Sequence, residues 1–586
     1  MPRVLLIGWA GACWSRIHPL LDAGALPHLH ALVNRGVMGN LATLPPPVPA
    51  MLWTSMATGV MADRHGVLDA SEPEPRTAGL RTVGRASLRL PYVWEMLAAD
   101  GIRCRTVGWP VTHPARGPAI CVSDGFAGGR KGSLWPGEME STLRELRFDP
   151  QEWTAAELKM FVPRFAEVNQ DTDRGLAKLG VLLAEATSVQ AAATRLMEYD
   201  PAELTVVHVG AIGAACEAFG GRADMLYGDV VEGVYRYLDM MLGRLVELGG
   251  PDTLVMLVSE RAALERAAPA PPGGELQGIF AAAGPGIEAD ELVFGASILD
   301  VAPTLLGLFS YERTEGMTGR RIPELAGSPA ERGMEFVREP EAVAAVDELV
   351  VDEEIAALAS WGYTDVVAGA HRAEAEAGCR RRKFNLAWVL LAQRRELEAI
   401  PLLEALSREE GSDPAMRLYL AHAYLRTGRM EECGALCNEL SREFPKHPLT
   451  PVAMAFVALA ASDADAARRE LAHARLNAGL MPELDTTLGE LYLRVGRAAE
   501  SAEAFQSALR LQASLVQAQH GLARALMELG RYEEAAEAAM AAIRMHFEQP
   551  AAHATLSRAL KAMGRHEDAE RAQAAAERLS RGARAA

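Results

Sequence analysis

A repeat with a period of 34 residues runs through the second half of this chain. Glycine or serine recurs at one position of the period, a small residue follows five positions later, and proline marks most of the unit boundaries. The three series are Gly428, Ser462, Gly496, Gly530 and Gly564; Cys433, Ala467, Ser501, Ala535 and Ala569; and Pro414, Pro448, Pro482, Val516 and Pro550. Because helix-forming residues fill the intervals, each unit is predicted to form two antiparallel helices with the glycine in the turn between them.

One unit carries enough specific residues to indicate a known repeat type. Residues 482–515 include Leu488-Gly489, Tyr492, Gly496, Phe505 and Ala508-Leu509. With these residues the unit resembles a tetratricopeptide (TPR) repeat. A weaker first unit beginning near Arg380 extends the array to about six units, ending near residue 583. The alternatives are a coiled coil, which needs a sustained heptad pattern, and a helical bundle without repeats.

The TPR resemblance has a functional implication. A TPR array is a curved solenoid in which each unit contacts its neighbours, and the curvature creates a concave surface. Such surfaces usually bind extended or helical peptides. The resemblance therefore implies a protein or peptide partner in the groove of the repeat array, and it leaves open both the partner's identity and a possible homo-oligomer.

The first half of the chain alternates predicted strands with predicted helices. The strands are Val4–Ile7, Thr205–Val209, Leu254–Val258 and Gly278–Ala283, and the helices are Val93–Ala99, Leu176–Glu198 and Val230–Leu248. Strands that alternate with helices favour an α/β fold with a mostly parallel, doubly wound sheet covered on both faces. The continuous apolar runs are typical of strands buried on both sides.

These patterns divide the chain into three segments. Residues 1–325 are predicted to be the α/β domain, and residues 380–586 the all-α solenoid. Residues 326–379 form an acidic, alanine-rich linker in which Glu353–Tyr363 is predicted to be a docking helix and turn. The basic run Arg380–Lys383 is interpreted as a solvated helix start rather than a binding patch.

Charge and cysteine content exclude several classes of protein. The formal net charge of −18 argues against a general binder of nucleic acid or anionic membranes. The N-terminal apolar run is too short for a signal peptide, and no uninterrupted apolar stretch approaches the roughly 20 residues of a membrane span. The 7 scattered cysteines contain no CxxC pair, which favours a reducing compartment. We therefore expect a cytoplasmic protein without a membrane span.

Six motifs in the first half point to a known superfamily. They are Val4–Trp14, Leu52–Gly59, Arg64–Val67, Ile279–Ile287, Leu299–Leu306 and Gly316–Arg320. In this order and spacing they resemble the alkaline-phosphatase superfamily, in its type I phosphodiesterase/nucleotide pyrophosphatase branch, over residues 3–325. The resemblance implies an alkaline-phosphatase-like doubly wound fold. The alternative is an unrelated α/β domain of the same general class.

The family resemblance also implies a chemistry. Its members hydrolyse phosphate esters with two zinc ions, which stabilise the attacking and leaving oxygens and help to ionise a Thr or Ser nucleophile. Carried over residue by residue, the nucleophile position is filled by Thr54. All six metal-ligand positions, which the family fills with Asp or His, are changed. They are Ala10, Gly213, Glu217, Glu260, Arg261 and Gly274. We therefore expect no zinc, no other cofactor, and a vestigial role for Thr54.

Two alternatives to this degenerate site remain open. Glu217 and Glu260 could hold a single hard cation with Thr54, although pairing of both glutamates with Arg261 in a salt-bridge network is the favoured interpretation. The true ligands could also lie a few residues away. The nearby candidates are Asp22, Asp63, His65, Asp69, His113, Asp124 and His208. Of these, His208 lies inside a predicted strand and is interpreted as a core histidine, and His65 belongs to a His-Gly turn that the family shares.

Three functional hypotheses follow. The first is a catalytically inactive phosphodiesterase-like domain that acts as a scaffold or regulator through its TPR array. The second is a metal-dependent phosphodiesterase or phosphotransferase that uses Thr54 in a rearranged site. The third is an activity linked to lipids or glycans at a membrane, which the acidic net charge disfavours. Dinucleotide and Walker-type phosphate-binding motifs do not occur in the sequence.

Overall fold

The computed structural model of the 586-residue chain describes most of its residues. The described ranges are 2–74, 79–169, 172–220, 226–263, 277–289, 291–325, 332–333, 364–409, 414–445, 449–461, 463–477, 482–511, 515–545 and 549–585. They fall into two compact units, of which the first ends at Val389 and the second begins at Leu390. The predicted docking helix Glu353–Tyr363 lies outside the described residues.

The first unit is built on a nine-stranded sheet. Eleven strands are described: β1 Arg3–Trp9, β2 Val37–Ala42, β3 Ser71–Pro73, β4 Leu80–Thr82, β5 Cys104–Val107, β6 Ile120–Val122, β7 Leu134–Trp135, β8 Leu204–Val209, β9 Thr253–Val258, β10 Gly278–Ala283 and β11 Glu291–Ser297. The order in the large sheet is β11-β2-β10-β9-β1-β8-β5-β6-β7, and β3 and β4 form a separate hairpin. Only β10 and β7 run antiparallel to their neighbours, so the sheet is mostly parallel, as predicted.

Helices cover both faces of this sheet. They are α1 Trp14–Asp22, α2 Pro27–Val33, α3 Pro49–Thr58, α4 Ala62–His65, α5 Val93–Ala99, α6 Glu140–Leu143, α7 Ala155–Leu158, α8 Gly175–Tyr199, α9 Ala211–Phe219, α10 Val230–Gly249 and α11 Val301–Leu308, with short 3-10 turns between some of them. Successive residues of β1 enter opposite hydrophobic cores: Leu5 and Ile7 pack with α1, α8 and α10, and Val4 and Leu6 pack with α3, α5 and α11. This alternation explains why the central strands are apolar at every position.

Helix α8 satisfies the length and composition of a membrane span, which the sequence analysis did not anticipate. In the described structure its inward residues Leu179, Leu183 and Ala192 are fully buried in the core on one face of the sheet. A core helix of a globular domain passes the same test, so length and composition are weak evidence for a span here.

A long helix, α12 (Thr364–Ala392), packs on the first unit through its basic segment. Arg381 forms an ion pair with Asp69, and Arg382 pairs with Glu72 at 3.4 Å. The Asn385 amide donates to the carbonyl oxygen of Leu68 at 2.8 Å. The interpretation of Arg380–Lys383 as a solvated helix start is therefore wrong. The segment lies in the middle of α12, and its arginines form ion pairs with Asp69 and Glu72.

The second unit is a series of antiparallel helix pairs. Its helices are α13 Glu396–Ser407, α14 Pro414–Thr427, α15 Met430–Glu443, α16 Leu449–Ala460, α17 Ala464–Asn477, α18 Pro482–Arg494, α19 Ala498–Leu511, α20 Val516–Glu528, α21 Tyr532–Met545, α22 Pro550–Ala562 and α23 His566–Ala585. The boundary prolines Pro414, Pro482 and Pro550 are each the first residue of a helix, where a missing backbone N–H costs nothing.

The turn between the two helices of a unit has a recurring conformation. Gly428, Gly496, Gly530 and Gly564 have φ between 72° and 80°, and Arg394 occupies the same register position with φ 63°. The next residue in the register is an arginine that pairs with an acid three residues later. These pairs are Arg395–Glu398, Arg429–Glu432, Arg497–Glu500, Arg531–Glu534 and Arg565–Asp568. In the third unit Asp463 replaces the arginine and its carboxylate accepts the Ala466 N–H at 2.9 Å.

The first helices of successive units contact one another directly. These helices are α14, α16, α18, α20 and α22, and they lie closer together than the second helices of the same units. The more closely spaced layer of a curved array is its concave side. We call the surface of these five helices the inner face.

Candidate functional site at the carboxyl edge of the sheet

The sheet brings the substituted ligand positions together at one edge. Strand β1 pairs in parallel with both β8 and β9, so the residues that follow these three strands meet at their carboxyl ends. Ala10 follows β1, Gly213 lies in the first turn of α9 after β8, and Glu260 and Arg261 follow β9. Gly274 lies outside the described residues. Open α/β sheets carry their sites at this edge.

Backbone packing closes the space between the strand ends. The Gly213 N–H donates to the carbonyl oxygen of Ala10 at 2.9 Å, and the Ala263 N–H donates to that of Gly11 at 3.0 Å. A Cβ on Gly11 would lie 2.9 Å from the Gly213 Cα and 2.8 Å from the Ala263 Cβ, and Gly11 has φ +80°. Only glycine fits such a close approach with a left-handed backbone. The loops after β1, β8 and β9 thus contact each other directly.

Glu260 is the acidic group at the centre of this arrangement. Its side chain is buried, and its Oε2 accepts the Gly11 N–H at 3.2 Å. Burial raises the pKa of Glu260 to about 7, although backbone N–H groups and the nearby Arg261 charge oppose the shift. A carboxyl group with this pKa is partly protonated near neutral pH and is a weaker ligand for a cation than an ordinary carboxylate.

Arg261 does not form the predicted salt-bridge network. Its Nη1 donates to the carbonyl oxygen of Ala262 at 3.0 Å, and among the described residues its guanidinium has no ion pair with Glu260 or Glu217. The Glu260 carboxylate is instead bonded by the Gly11 amide. Glu260 and Arg261 are neighbours in the sequence but bond to different partners. Glu217 is exposed on α9.

Thr54 lies inside α3, next to Trp53. It is the sixth residue of this helix, its side chain is buried, and its hydroxyl donates to the carbonyl oxygen of Ala50 at 2.7 Å. The hydroxyl proton is thus engaged by a carbonyl oxygen, which is not a base, and burial keeps the hydroxyl away from a substrate. In the described structure Thr54 is therefore placed as a buried helix hydroxyl.

An aromatic cluster fills the sheet edge beside this position. The Trp53 ring packs edge-on against Trp109 and His208, with centroid distances of 4.9 Å and 4.5 Å. His208 Nδ1 donates to the Gly108 carbonyl oxygen at 3.2 Å, and burial lowers the pKa of this histidine to about 3. His208 is a buried histidine, as interpreted from the sequence, but its Nε2 has no hydrogen-bond partner in the described structure. A Cβ on Gly8 would lie 2.9 Å from the Trp53 ring, which explains the glycine next to the carboxyl end of β1.

Two of the other nearby candidates, His65 and Asp124, form local hydrogen bonds. The Val67 N–H donates to Nδ1 of His65, so Nε2 carries the proton and donates to the Ser55 hydroxyl at 2.9 Å. Asp124 accepts the N–H groups of Val111 and His113. Among the described residues, no group of three or more His, Cys, Asp or Glu side chains is close enough to hold a metal ion.

The donor set at the sheet edge does not fit two zinc ions. Zinc needs three or four His, Cys, Asp or Glu donors at about 2 Å. Ala10 and Gly213 have no side-chain donor atom, Arg261 carries a positive charge, Glu217 is exposed on α9, and Glu260 has a raised pKa. No step of a zinc-dependent reaction can be assigned to these residues.

A small cleft next to the aromatic cluster was not predicted from the sequence. It has a volume of about 110 Å³, and its polar lining includes Ser123, Asp124, Glu185 and His208. Burial raises the pKa of both Asp124 and Glu185, and the Asp124 charge adds to the shift of Glu185. Asp124 and His208 were among the candidate metal ligands near the family motifs. No signal pointed to Glu185, because it lies in the middle of α8 outside any motif.

Together these features define the class of protein: an α/β domain of alkaline-phosphatase type followed by an α-helical repeat array. Residues 4–263 match the family model of type I phosphodiesterase/nucleotide pyrophosphatase, and residues 390–450 and 516–546 match tetratricopeptide repeat models. The first unit thus contains a type I phosphodiesterase/nucleotide pyrophosphatase domain, and the second is a TPR array. Both resemblances found in the sequence are confirmed.

Several solved TPR structures are similar to part of the chain. TTC0263, a thermophilic TPR protein of Thermus thermophilus, is 19% identical with a TM-score of 0.29, over 31% of this chain and 99% of that one. MamA is 14% identical with a TM-score of 0.26, over 28% and 98%. YrrB, a TPR protein with an unusual peptide-binding site, is 14% identical with a TM-score of 0.26, over 30% and 91%. At these scores the similarities carry no functional argument. A search of curated proteins found no match.

Proposed function

We propose that this protein is a catalytically inactive member of the phosphodiesterase class that acts as a protein-interaction scaffold or regulator through its TPR array. The α/β domain keeps the strand framework of its family but has lost the chemistry that requires metal ions. The TPR array supplies a surface for a protein or peptide partner. A cytoplasmic location, a protein without cofactor and a possible homo-oligomer stay predictions.

The observation that carries this proposal is the direct packing of the loops after β1, β8 and β9. The Gly11 N–H bonds to Glu260, and the Gly213 N–H bonds to Ala10, at the positions where the family places ion ligands. Losing one outer-shell partner of a metal site typically costs about 10–100-fold in affinity or activity. Replacement of the ligands themselves by Ala, Gly and Arg is a far larger change.

The position of Thr54 supports the same conclusion. Without a metal ion or a base, a threonine hydroxyl is a poor nucleophile. The Thr54 hydroxyl donates to the Ala50 carbonyl oxygen inside α3, and its side chain is buried. Nothing in its described surroundings favours the alternative of a metal-dependent phosphodiesterase that uses Thr54.

The test combines metal analysis with an activity assay on the full chain. We expect substoichiometric zinc after purification in zinc-containing medium, and no hydrolysis of bis(p-nitrophenyl) phosphate with zinc, magnesium or manganese above the level of the Thr54→Ala variant. Thr54→Ser is the matched control, because it keeps a hydroxyl at this position. Stoichiometric zinc together with turnover that is lost in Thr54→Ala and kept in Thr54→Ser would establish the alternative, an active phosphodiesterase.

A further inference from the structure

We propose that the carboxyl-terminal part of the inner face binds an acidic peptide segment of a partner protein. We call this part the basic face and define it by Arg524 on α20 and by Arg558 and Lys561 on α22. The inference rests on the proposed function, since it assumes that the TPR array is the interaction module, and it adds the chemistry of the partner.

The repeat register places the members of the basic face on one surface. Glu490, Arg524 and Arg558 are separated by one period each, and they lie on the neighbouring first helices α18, α20 and α22. Arg524 Nη1 donates to both carboxylate oxygens of Glu490 at 2.9 Å, so this register position spans adjacent helices. Arg558 occupies the same position one unit further on, and the residue one period before it is Arg524 rather than an acid.

A second contact supports this alignment of α20 and α22. His520 Nε2 and the Thr555 hydroxyl are 3.1 Å apart, about one turn before Arg524 and Arg558 in their helices. Lys561 lies three residues after Arg558, and residues at this spacing are neighbours on a helix surface. The cations on α20 and α22 therefore share one side of the array.

The cations of the basic face differ from the turn arginines. Five turn arginines are neutralised within their own unit by an acid three residues later. Arg558 and Lys561 are exposed and form no ion pair with a residue that the structure describes, and α22 contains no Asp or Glu. The pair Arg524–Glu490 is about 40% exposed on both sides, so water weakens it and a ligand can compete for the guanidinium.

The cations of the basic face are suited to bind the carboxylates of a short peptide. Arginine donates two parallel hydrogen bonds to a carboxylate, and lysine adds a point charge. The net charge of −18 repels an extended polyanion such as nucleic acid at long range. A peptide with a few acidic residues interacts mainly with charges within about 8 Å, the screening length at physiological salt. An acidic peptide therefore fits this face better than nucleic acid does.

The test measures binding of labelled peptides to the full chain by fluorescence anisotropy. The probe is a short fluorescein-labelled peptide in which glutamates alternate with alanine and leucine, and the comparison probes replace every glutamate by glutamine or by lysine. We expect the acidic probe to bind about tenfold more tightly than the glutamine probe at low salt, and the difference to shrink as salt is raised to about 0.5 M.

The variant Arg558→Glu/Lys561→Glu is expected to weaken binding of the acidic probe about tenfold. The matched control is Arg442→Glu/Arg510→Glu, which makes the same charge change at exposed arginines of the second helices α15 and α19. We expect the control to bind within about twofold of the parent chain. Circular dichroism and the thermal midpoint establish that both variants are folded.

The inference is overturned if the acidic probe does not bind, or if the acidic and glutamine probes bind equally well. It is also overturned if both double variants lose the same affinity, or if a single-stranded oligonucleotide binds more tightly than the acidic probe and depends on Arg558 and Lys561. Preferential binding of the glutamine or lysine probe that depends on inner-face residues would overturn the acidic partner but leave the proposed function intact. The proposed function fails separately, through the metal and phosphodiesterase measurements.

Discussion

At the scale of single residues, Glu260 is a buried acid of the α/β domain. Its carboxylate accepts the Gly11 N–H. Burial outweighs the attractive contributions and raises its pKa to about 7. A buried acid with a raised pKa makes the free energy of unfolding depend on pH.

Glu260→Gln is expected to stabilise the α/β domain at alkaline pH. Below the unfolded-state pKa of 4.5, Glu260 is protonated in both the folded and the unfolded state, so it does not change the free energy of unfolding. Between this pH and about 7, the unfolded state has already lost the proton that the folded state still holds. The free energy of unfolding of the wild type therefore falls as pH rises through this range. The glutamine keeps an acceptor for the Gly11 N–H without this cost. The expected gain is on the order of 3 kcal/mol at about pH 8 and near zero at about pH 4.

The measurement is urea unfolding followed by tryptophan fluorescence at both pH values. Fluorescence reports mainly on this domain, because only Trp361 and Trp388 lie beyond residue 325. Glu217→Gln, an exposed acid on α9, is the control and should show no such pH-dependent gain. A gain for Glu260→Gln that is the same at both pH values would contradict the assignment of a raised pKa.

At the scale of elements, the repeat units show two different reasons for glycine. The turn glycines have φ near +75°, and a Cβ on Gly496 or Gly530 would meet no atom within 4 Å, so only the backbone conformation requires them. Gly489 and Gly521 are helical, and a Cβ there would lie 2.7 Å and 2.2 Å from the Phe505 ring. Gly496 and Gly530 are therefore required by their backbone conformation. Gly489 and Gly521 are required because a larger side chain would collide with the Phe505 ring.

Substitutions at the turn register are expected to have opposite signs. Gly530→Ala should destabilise the array by about 1 kcal/mol, because an L-residue with a left-handed backbone is strained. Arg394→Gly should stabilise its turn by a few tenths to about 1 kcal/mol, because Arg394 already has φ 63°. Thermal unfolding followed by circular dichroism measures both changes. Destabilisation by Arg394→Gly would mean that contacts of the arginine side chain outweigh the strain.

Gly521→Ala is expected to be more harmful than Gly530→Ala. The added methyl group would enter the space of the Phe505 ring, and overpacking of this kind typically costs about 1–3 kcal/mol. A double-mutant cycle with Phe505→Leu tests the mechanism, since the smaller side chain should recover a large part of the loss. Strictly additive effects of Gly521→Ala and Phe505→Leu would exclude this steric explanation.

At the scale of the whole molecule, most of α12 belongs to the first compact unit. Its residues up to Val389 belong to the first unit, and the fully buried Val389 joins the core on the α3 face of the sheet. Arg381 and Arg382 hold this helix to Asp69 and Glu72. Glu72 also accepts hydrogen bonds from Ser87 and Arg81, so the acceptor is itself fixed in position.

Arg381→Glu/Arg382→Glu is expected to detach α12 from the first unit. Each substitution places a second acid beside Asp69 or Glu72, and Glu72 is largely buried, so the expected cost is on the order of 2–3 kcal/mol. Limited proteolysis should then cleave within α12 faster than in the parent chain. Lys383→Glu is the control for charge, because Lys383 is exposed and forms no ion pair with a described residue. Equal cleavage rates in all three proteins would contradict this docking.

Much of the fold was predictable because it follows from local periodicity. The central strands β1, β8, β9 and β10 and the helices α5, α8 and α10 matched their predicted ranges within one or two residues. Their apolar runs are long and bounded by turn residues, which makes local signals strong. Strands β5, β6 and β7 were missed, since they are only two to four residues long and Arg105 interrupts β5.

The candidate site was only partly predictable. The replacement of the family's ligands at Ala10, Gly213 and Arg261 is a prediction from the sequence alone. The bonding of Glu260 was not predictable, because the Gly11 amide that bonds to it is 249 residues away in sequence. Likewise, the acidic cleft with Asp124 and Glu185 exists only because α8 crosses the ends of β5, β6 and β8.

The sequence by itself determined the two-part architecture and the 34-residue unit, because each depends on residue types at fixed spacings along the chain. Tertiary structure decided which charges meet. Arg381 and Arg382 pair with Asp69 and Glu72, more than 300 residues earlier, and Arg261 does not pair with its neighbour Glu260. Ion pairs depend on distances of a few ångströms, and these are set by the packing of whole elements rather than by separation along the chain.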